Sequence, residues 1–158
     1  MKPDPRQRVA GPLFRAIGPL MRLALRHGLL AGPNVLLTVC GRVTRIPYST
    51  PVAMWELGDR RFVQASFGEV NWVRNLRVAR EAIVRRGRHA QTYLATELPP
   101  DEAALALRAA LAPMMRSRFT APMLKRWYEL DASATAVDYE RAALAHPVFA
   151  LVPMPSPR

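Results

Sequence analysis

The residue types able to do chemistry gather in two short runs, Gly41-Arg42-Val43-Thr44-Arg45-Ile46-Pro47 and Ser66-Phe67-Gly68-Glu69-Val70-Asn71-Trp72-Val73-Arg74-Asn75-Leu76. The first separates two apolar runs, residues 35–40 and 51–57, and the second follows the apolar run 62–65 and opens a helical pattern. A basic turn beside a helix start offers Arg side chains and backbone N–H groups to a phosphate or another anion. Tyr48, Trp55, Phe67, Trp72, Tyr128 and Tyr139 add aromatic surface. Aromatics next to an anion-binding turn suit a flat, conjugated ligand with a phosphate tail, such as a flavin, although Trp55 reads first as a core residue and Trp72 fits either place. His27, His89 and His146 each lack a second ligand at metal-binding spacing, so no metal site is expected. No nucleophile elbow, Walker loop or Gly-x-Gly-x-x-Gly is present, which argues against a hydrolase of familiar type. The single cysteine, Cys40, ends an apolar run and reads as a buried structural thiol.

The elements that must position these runs follow from periodicity. Residues 12–30 read as a helix, with a kink expected near Gly18-Pro19. At 100° per residue, Arg15, Arg22 and Arg26 fall within an arc of about 40°, with Leu13, Ile17, Leu20 and Ala24 opposite and Phe14 and Met21 at the edge. That pattern fits a helix packed on a core, or an interfacial helix touching anionic lipid. Strand-like runs follow at 35–40, 48–57, 61–66, 82–86, 89–97 and 148–152. The turns around Gly58 and Gly87 are of hairpin length, so most neighbours should be antiparallel. Helices are expected at 70–78, at 101–116 (bent or shortened by Pro113), at 121–130 and at 136–145. The expectation is a single α+β domain over 12–158, a barrel of about six mostly antiparallel strands with flanking helices, after a polar tail at 1–11.

The chain has 158 residues, half of them apolar, and a formal charge of +11. Residues 1–50 carry eight Lys/Arg against Asp4, and residues 60–90 carry eight Arg against Glu69 and Glu81. From residue 91 onward, seven basic and seven acidic residues cancel. The excess therefore surrounds the two motifs and implies an anionic partner for that half. Arg outnumbers Lys 21 to 2, a bias that genome composition alone produces, and no recognition-helix or aromatic-basic repeat accompanies it. Nucleic acid is not an expected partner. No apolar stretch is long enough to span a bilayer, and residues 1–30 make a poor signal peptide. A cytoplasmic protein is expected, with peripheral attachment to the inner face of the membrane as the variant the first helix allows.

At these residues the chain resembles the deazaflavin-dependent nitroreductase family. The run Leu36-Leu37-Thr38-Val39-Cys40-Gly41-Arg42-x-Thr44-x-x-Pro47, followed by Pro51-Val52, is similar to its opening block. Ala65-Ser66-x-Gly68 with Trp72-x-x-Asn75-Leu76 is similar to its second, and His146-Pro147-Val148-Phe149-x-Leu151 to its last strand. The resemblance covers roughly residues 30–152. It implies a split β-barrel and the reduced deazaflavin coenzyme F-420, ahead of FMN, delivering hydride to a quinone, nitro compound or activated alkene. It implies coenzyme contacts at Arg42, Thr44, Arg45, Pro47, Ser66, Gly68, Trp72 and Asn75. The chain departs from the family pattern at Val43, Arg45 and Tyr48, where Lys or Arg, Gly and Arg are usual. Two cations expected at the coenzyme phosphate are thus absent, leaving Arg42 and a displaced Arg45 in their place. The second block is also short, like that of a sub-branch for which fatty-acid or lipid binding has been suggested.

Two functions follow. In the first, the protein is an oxidoreductase with a dry pocket and one proton donor, for which Tyr128 and Tyr139 are the candidates. In the second, it is a non-catalytic binder of a fatty acid or similar amphiphile at an anionic membrane surface, with the Arg-rich turn holding a carboxylate. The oligomeric state stays open, with a dimer as one option.

Overall fold

The computed structural model describes residues 12–27 and 33–155. The polar tail at 1–11 and the helix end expected at 28–30 lie outside the described residues, as do the side chains of Leu13, Phe14, Arg15 and Ile17.

Six strands close into a barrel: β1 (Asn34–Cys40), β2 (Pro47–Leu57), β3 (Arg60–Gln64), β4 (Glu81–Arg86), β5 (His89–Glu97) and β6 (Val148–Pro153). Their order around the barrel is β1-β2-β3-β6-β5-β4, and every pairing is antiparallel. Two-residue hairpins join β2 to β3 and β4 to β5, with Leu57 opposite Arg60 and Arg86 opposite His89. Gly58 and Gly87 adopt φ of 61° and 59° there, a left-handed conformation that glycine reaches without steric cost.

Period-two alternation sorts the strand side chains into two cores. Val35, Leu37, Val39, Val63, Phe149 and Leu151 point inward and fill the barrel, together with Val73 and Leu76 from α2 (Asn71–Ala79). Phe62 and Val148 point outward and carry a second core beneath α3 (Pro100–Leu111), α4 (Ala121–Tyr128) and α5 (Ala136–Ala145). The helix expected over 101–116 ends at Leu111 and continues as a 3-10 turn, Ala112–Arg116. Pro113 lacks the N–H that an α-helical ladder needs, so the shortening follows from it. Leu107 and Leu111 are buried as expected, and Met114 is partly buried.

Helix α1 (Pro12–Arg26) runs on through Pro19 and packs over β1, β2 and β4. Its seating differs from the sequence expectation. Leu25 is buried, whereas Leu20 is 68% exposed and Leu23 is 53% exposed. Leu36 of β1 is buried outside both cores, and on α1, which packs over β1, Leu25 is buried and Met21 and Ala24 are half-buried while Leu20 is exposed.

Candidate active site

A cavity of about 370 Å³ opens between the turn after β3, the C-terminal end of α4 and one flank of α5. Ser66, Phe67 and Gly68 form one wall, and Trp127, Tyr128, Ala142, Ala145 and His146 form others. Gly68 sits at φ 75°, and a Cβ there would lie 3.2 Å from the Ala145 carbonyl, so the turn passes close beneath the end of α5. Phe67 and Trp127 meet edge to face at 5.2 Å. Arg126, Glu129, Asp138 and Arg141 surround the mouth.

A buried polar chain runs into this wall. Gln64, 4% exposed, donates from Nε2 to the Tyr128 hydroxyl at 3.0 Å. That hydroxyl donates to Ser66 Oγ at 2.8 Å. Tyr128 is itself 4% exposed. Burial pushes its pKa from 10.0 up to about 12, against the opposing pull of the Ser66 hydrogen bond. His146 Nδ1 lies 3.0 Å from the Ala65 carbonyl, which can only accept, so Nδ1 carries the proton. Its ring packs on that of Tyr128 at 4.4 Å. Tyr139, the other tyrosine singled out from sequence, is not at the cavity. Its hydroxyl reaches Met115 Sδ at 3.8 Å within the second core, and burial raises its pKa. A helix turns its residues through 100° each, so Asp138, Arg141 and Ala142 face the cavity while Tyr139 faces inward.

The Gly41–Pro47 run forms a tight loop between β1 and β2. Gly41 N–H donates to the Ile46 carbonyl and Arg45 N–H to the Gly41 carbonyl, both at 2.9 Å. Arg45 takes the left-handed conformation at φ 59°. Thr44 Oγ1 accepts from Ile46 N–H and donates to the Tyr48 hydroxyl, each at 3.3 Å. The loop leaves no room at Gly41, where a Cβ would stand 2.6 Å from Thr44 Oγ1. Cys40 is exposed, not buried as expected, because it belongs to the outward set of β1 with Leu36 and Thr38. Its thiol donates to the Arg45 carbonyl at 3.0 Å.

One side chain ties this loop to α2. Asn75 Oδ1 accepts from Arg42 N–H at 3.2 Å and from Arg42 Nη1 at 2.9 Å. Asn75 is 7% exposed, and both of its Arg42 bonds fall on Oδ1. Arg45 and Pro47 are exposed, and Val43 is 82% exposed at the loop tip. Trp72 joins neither group; its ring stands 6.0 Å from Phe149 against the barrel core. The start of α2, expected to attract an anion, already has a carboxylate beside it. Glu69 pairs with Arg74 and Arg77, and Arg77 also grips Glu97 of β5 at 2.6 and 2.8 Å. Those bonds, the Glu97 pair foremost, raise the Arg77 pKa further above its ordinary value.

The expected site residues therefore fall into two groups. Ser66 and Gly68 meet Tyr128 at the cavity; Arg42 meets Asn75, and Thr44, Arg45 and Pro47 share the loop with Arg42. Asn75 lies about one helical turn inside α2, whose start follows the Ser66–Gly68 turn. Arg126, Trp127, Arg141 and His146, which line the cavity, and Gln64, which lies behind Tyr128, are residues that sequence reasoning missed. Only Gln64, a lone amide in an apolar strand, carried a signal.

A family model described as F420H(2)-dependent quinone reductase matches residues 24–121. That span includes both motifs and stops short of Tyr128 and His146. No curated protein matches the sequence. Among solved structures, the chain is similar to Atu2129, a protein of unknown function from Agrobacterium tumefaciens str. C58, at 20% identity and a TM-score of 0.53. The match covers 96% of this chain and 56% of that one, so the chain spans just over half its length. It is also similar to an F420-H2 dependent reductase, FDR-A, at 18% identity and a TM-score of 0.52, over 78% of this chain and 96% of that one. A third structure, described as a domain-swapped dimer, matches at 16% identity and a TM-score of 0.53, over 90% of this chain and all of the other. These likenesses show the shared barrel fold. Among the described residues, no group of His, Cys, Asp and Glu could hold a metal ion, and no helix is long and apolar enough to cross a membrane.

Proposed function

The chain belongs to the F420H(2)-dependent quinone reductase family, and on that premise we propose that it reduces a quinone, nitro compound or activated alkene with the deazaflavin coenzyme F-420. The observation that carries this reading is the Tyr128–Ser66 pair, a proton donor built into the wall of an aromatic cavity beside the second motif. The donors on the loop suit the coenzyme's anionic tail: the Arg42 guanidinium, held by Asn75, and the exposed Arg45 guanidinium. When bound, the coenzyme supplies the hydride. The protein holds the substrate in the cavity, excludes water and donates a proton from Ser66, which Tyr128 replenishes. Tyr128 suits that part because burial keeps it protonated throughout the physiological range.

A second reading has its own support. Where family members carry cations, this loop presents Val43, 82% exposed, and Tyr48, 50% exposed, next to Ile46 at 57%. Leu20 and Leu23 of α1 are exposed as well. Exposed apolar residues with Arg neighbours in sequence, Arg42 and Arg45 on the loop and Arg22 and Arg26 on α1, are the composition of segments that meet anionic amphiphiles.

Titration with reduced F-420 separates the two readings. The first expects saturable binding that weakens with salt, and loss of about tenfold or more in affinity for each Arg removed by Arg42→Ala or Arg45→Ala. Restoring the family cations with Val43→Lys and Tyr48→Arg should tighten binding. If neither wild type nor the restored variant binds at high micromolar coenzyme, the reductase reading fails. Co-sedimentation with anionic, but not neutral, liposomes would then put the amphiphile reading first.

A further inference from the structure

Gln64 has no part in the family motifs, and no substrate or coenzyme contact is required of it. It lies on β3, opposite Ala53 of β2 and Val148 of β6, with its side chain on the outward face under the helical layer. A primary amide at such a position is costly unless it is hydrogen-bonded, because it leaves water for an apolar layer. Its Nε2 finds the Tyr128 hydroxyl at 3.0 Å. That bond has a directional consequence. An amide nitrogen can only donate, so the Tyr128 oxygen must accept, and the phenolic hydrogen is free to point elsewhere. It points to Ser66 Oγ, 2.8 Å away at the edge of the cavity. With one lone pair of Ser66 Oγ occupied by Tyr128, the serine hydrogen can turn toward a ligand. The donors run in one sense, from Gln64 through Tyr128 and Ser66 to the cavity.

We propose that Gln64 is a positioning residue that sets the direction of proton delivery at this site, by holding the Tyr128 hydroxyl as an acceptor from below so that it donates toward Ser66 and the cavity. The inference rests on the reductase reading for its catalytic consequence, though not for its geometry. In the step concerned, a substrate oxygen that has gained negative charge with the incoming hydride takes the Ser66 proton. Ser66 takes the Tyr128 proton, and the resulting tyrosinate accepts the Gln64 N–H until water reprotonates it. A donor aimed at developing charge lowers the barrier, whereas a reversed one raises it. Burial holds Tyr128 protonated until it is called on, and the His146 ring fixes the plane of the phenol. The titratable groups facing the assembly are His146 and Asp138 and Arg141 on α5, with Arg126 and Glu129 at the end of α4.

The test pairs two variants of the full chain. Gln64→Met keeps the volume and removes the donor. Gln64→Glu replaces the donor by a carboxylate that accepts from Tyr128 and turns its hydrogen away from Ser66. The first readout needs no coenzyme: the Tyr128 13Cζ chemical shift in free protein labelled on tyrosine, assigned with Tyr128→Phe. In Gln64→Glu that shift should titrate between about pH 4 and 8 with the introduced carboxyl, and in wild type and Gln64→Met it should stay flat. The second readout is turnover of a water-soluble quinone with reduced F-420. Gln64→Met should lower kcat about tenfold with KM within twofold. Gln64→Glu should lower it further at neutral pH and recover on acidification, as the protonated carboxyl becomes a donor again. Folded variants with a flat Tyr128 shift in Gln64→Glu and wild-type kcat overturn the proposal. Wild type that neither binds nor turns over F-420 overturns the reductase reading instead, while the shift in the free protein still decides how Gln64 orients Tyr128.

Discussion

Replacing Tyr128 by Phe removes one oxygen from the centre of the site and leaves everything else in place. The ring keeps its contact with His146, and Ser66 keeps its face to the cavity. What is lost is one donated bond of 2.8 Å and one accepted bond of 3.0 Å in a wall only 4% exposed. Gln64 Nε2 is then a buried donor without its acceptor, which costs about 1–3 kcal/mol. For a chain of this size that lowers Tm by roughly 2–12 °C. The catalytic loss should be larger. Removing a positioned proton donor typically costs about 10²–10⁴ in rate, and it should fall on kcat, since the apolar surface presented to the substrate is unchanged. Stopped-flow decay of reduced F-420 absorbance with a water-soluble quinone measures it. Tyr139→Phe is the control, because that hydroxyl lies away from the cavity against Met115 Sδ, and the change should alter kcat by less than about twofold. Alkaline pH supplies an independent check. The folded state holds the Tyr128 proton up to about 12, whereas the unfolded chain releases it near 10.0. The folded state therefore binds more protons between those values, and stability is intact below pH 10 and falls as pH rises toward 12. The fall attributable to Tyr128 is up to roughly 3 kcal/mol, at 1.36 kcal/mol for each pH unit between the two values. Urea unfolding should show it in wild type and not in Tyr128→Phe. A folded Tyr128→Phe protein with wild-type kcat refutes the assignment of the proton donor.

Asn75→Leu keeps the bulk inside α2 and removes the acceptor of both Arg42 bonds; it should loosen the 41–47 loop and weaken F-420 affinity about tenfold to a hundredfold, with salt dependence reduced. Isothermal titration at two salt concentrations checks this. Gly68→Ala places a Cβ at φ 75°, 3.2 Å from the Ala145 carbonyl, and should cost about 1–2 kcal/mol in urea unfolding while raising KM, because the cavity wall must shift.

Much of this fold was legible one element at a time. Alternation of side chains along residues 35–40 and 82–86, hairpin glycines at 58 and 87, and Pro113 just past the third helix are local signals, and each has a local cause: strand period, left-handed φ, a missing N–H. The motifs at 41–47 and 66–76 could be picked out in the same way, since residue type and spacing along the chain were enough to mark a basic turn and a helix start. What lay beyond that reach was every relation between distant segments. Cys40 is exposed and Leu20 faces water because the closed barrel and the seat of α1 decide which side of an element is inside. Two tyrosines eleven residues apart were equivalent in sequence; α4 directs Tyr128 to Ser66, and α5 sends Tyr139 into the second core. Gln64 and Tyr128 are 64 positions apart, and His146 meets Ala65 across 81. Hydrogen bonds of that separation leave no periodicity in the chain. They form because β3 pairs with β6 and the helical layer closes over both, so the sequence by itself determined the parts and tertiary packing alone determined which of them share a site.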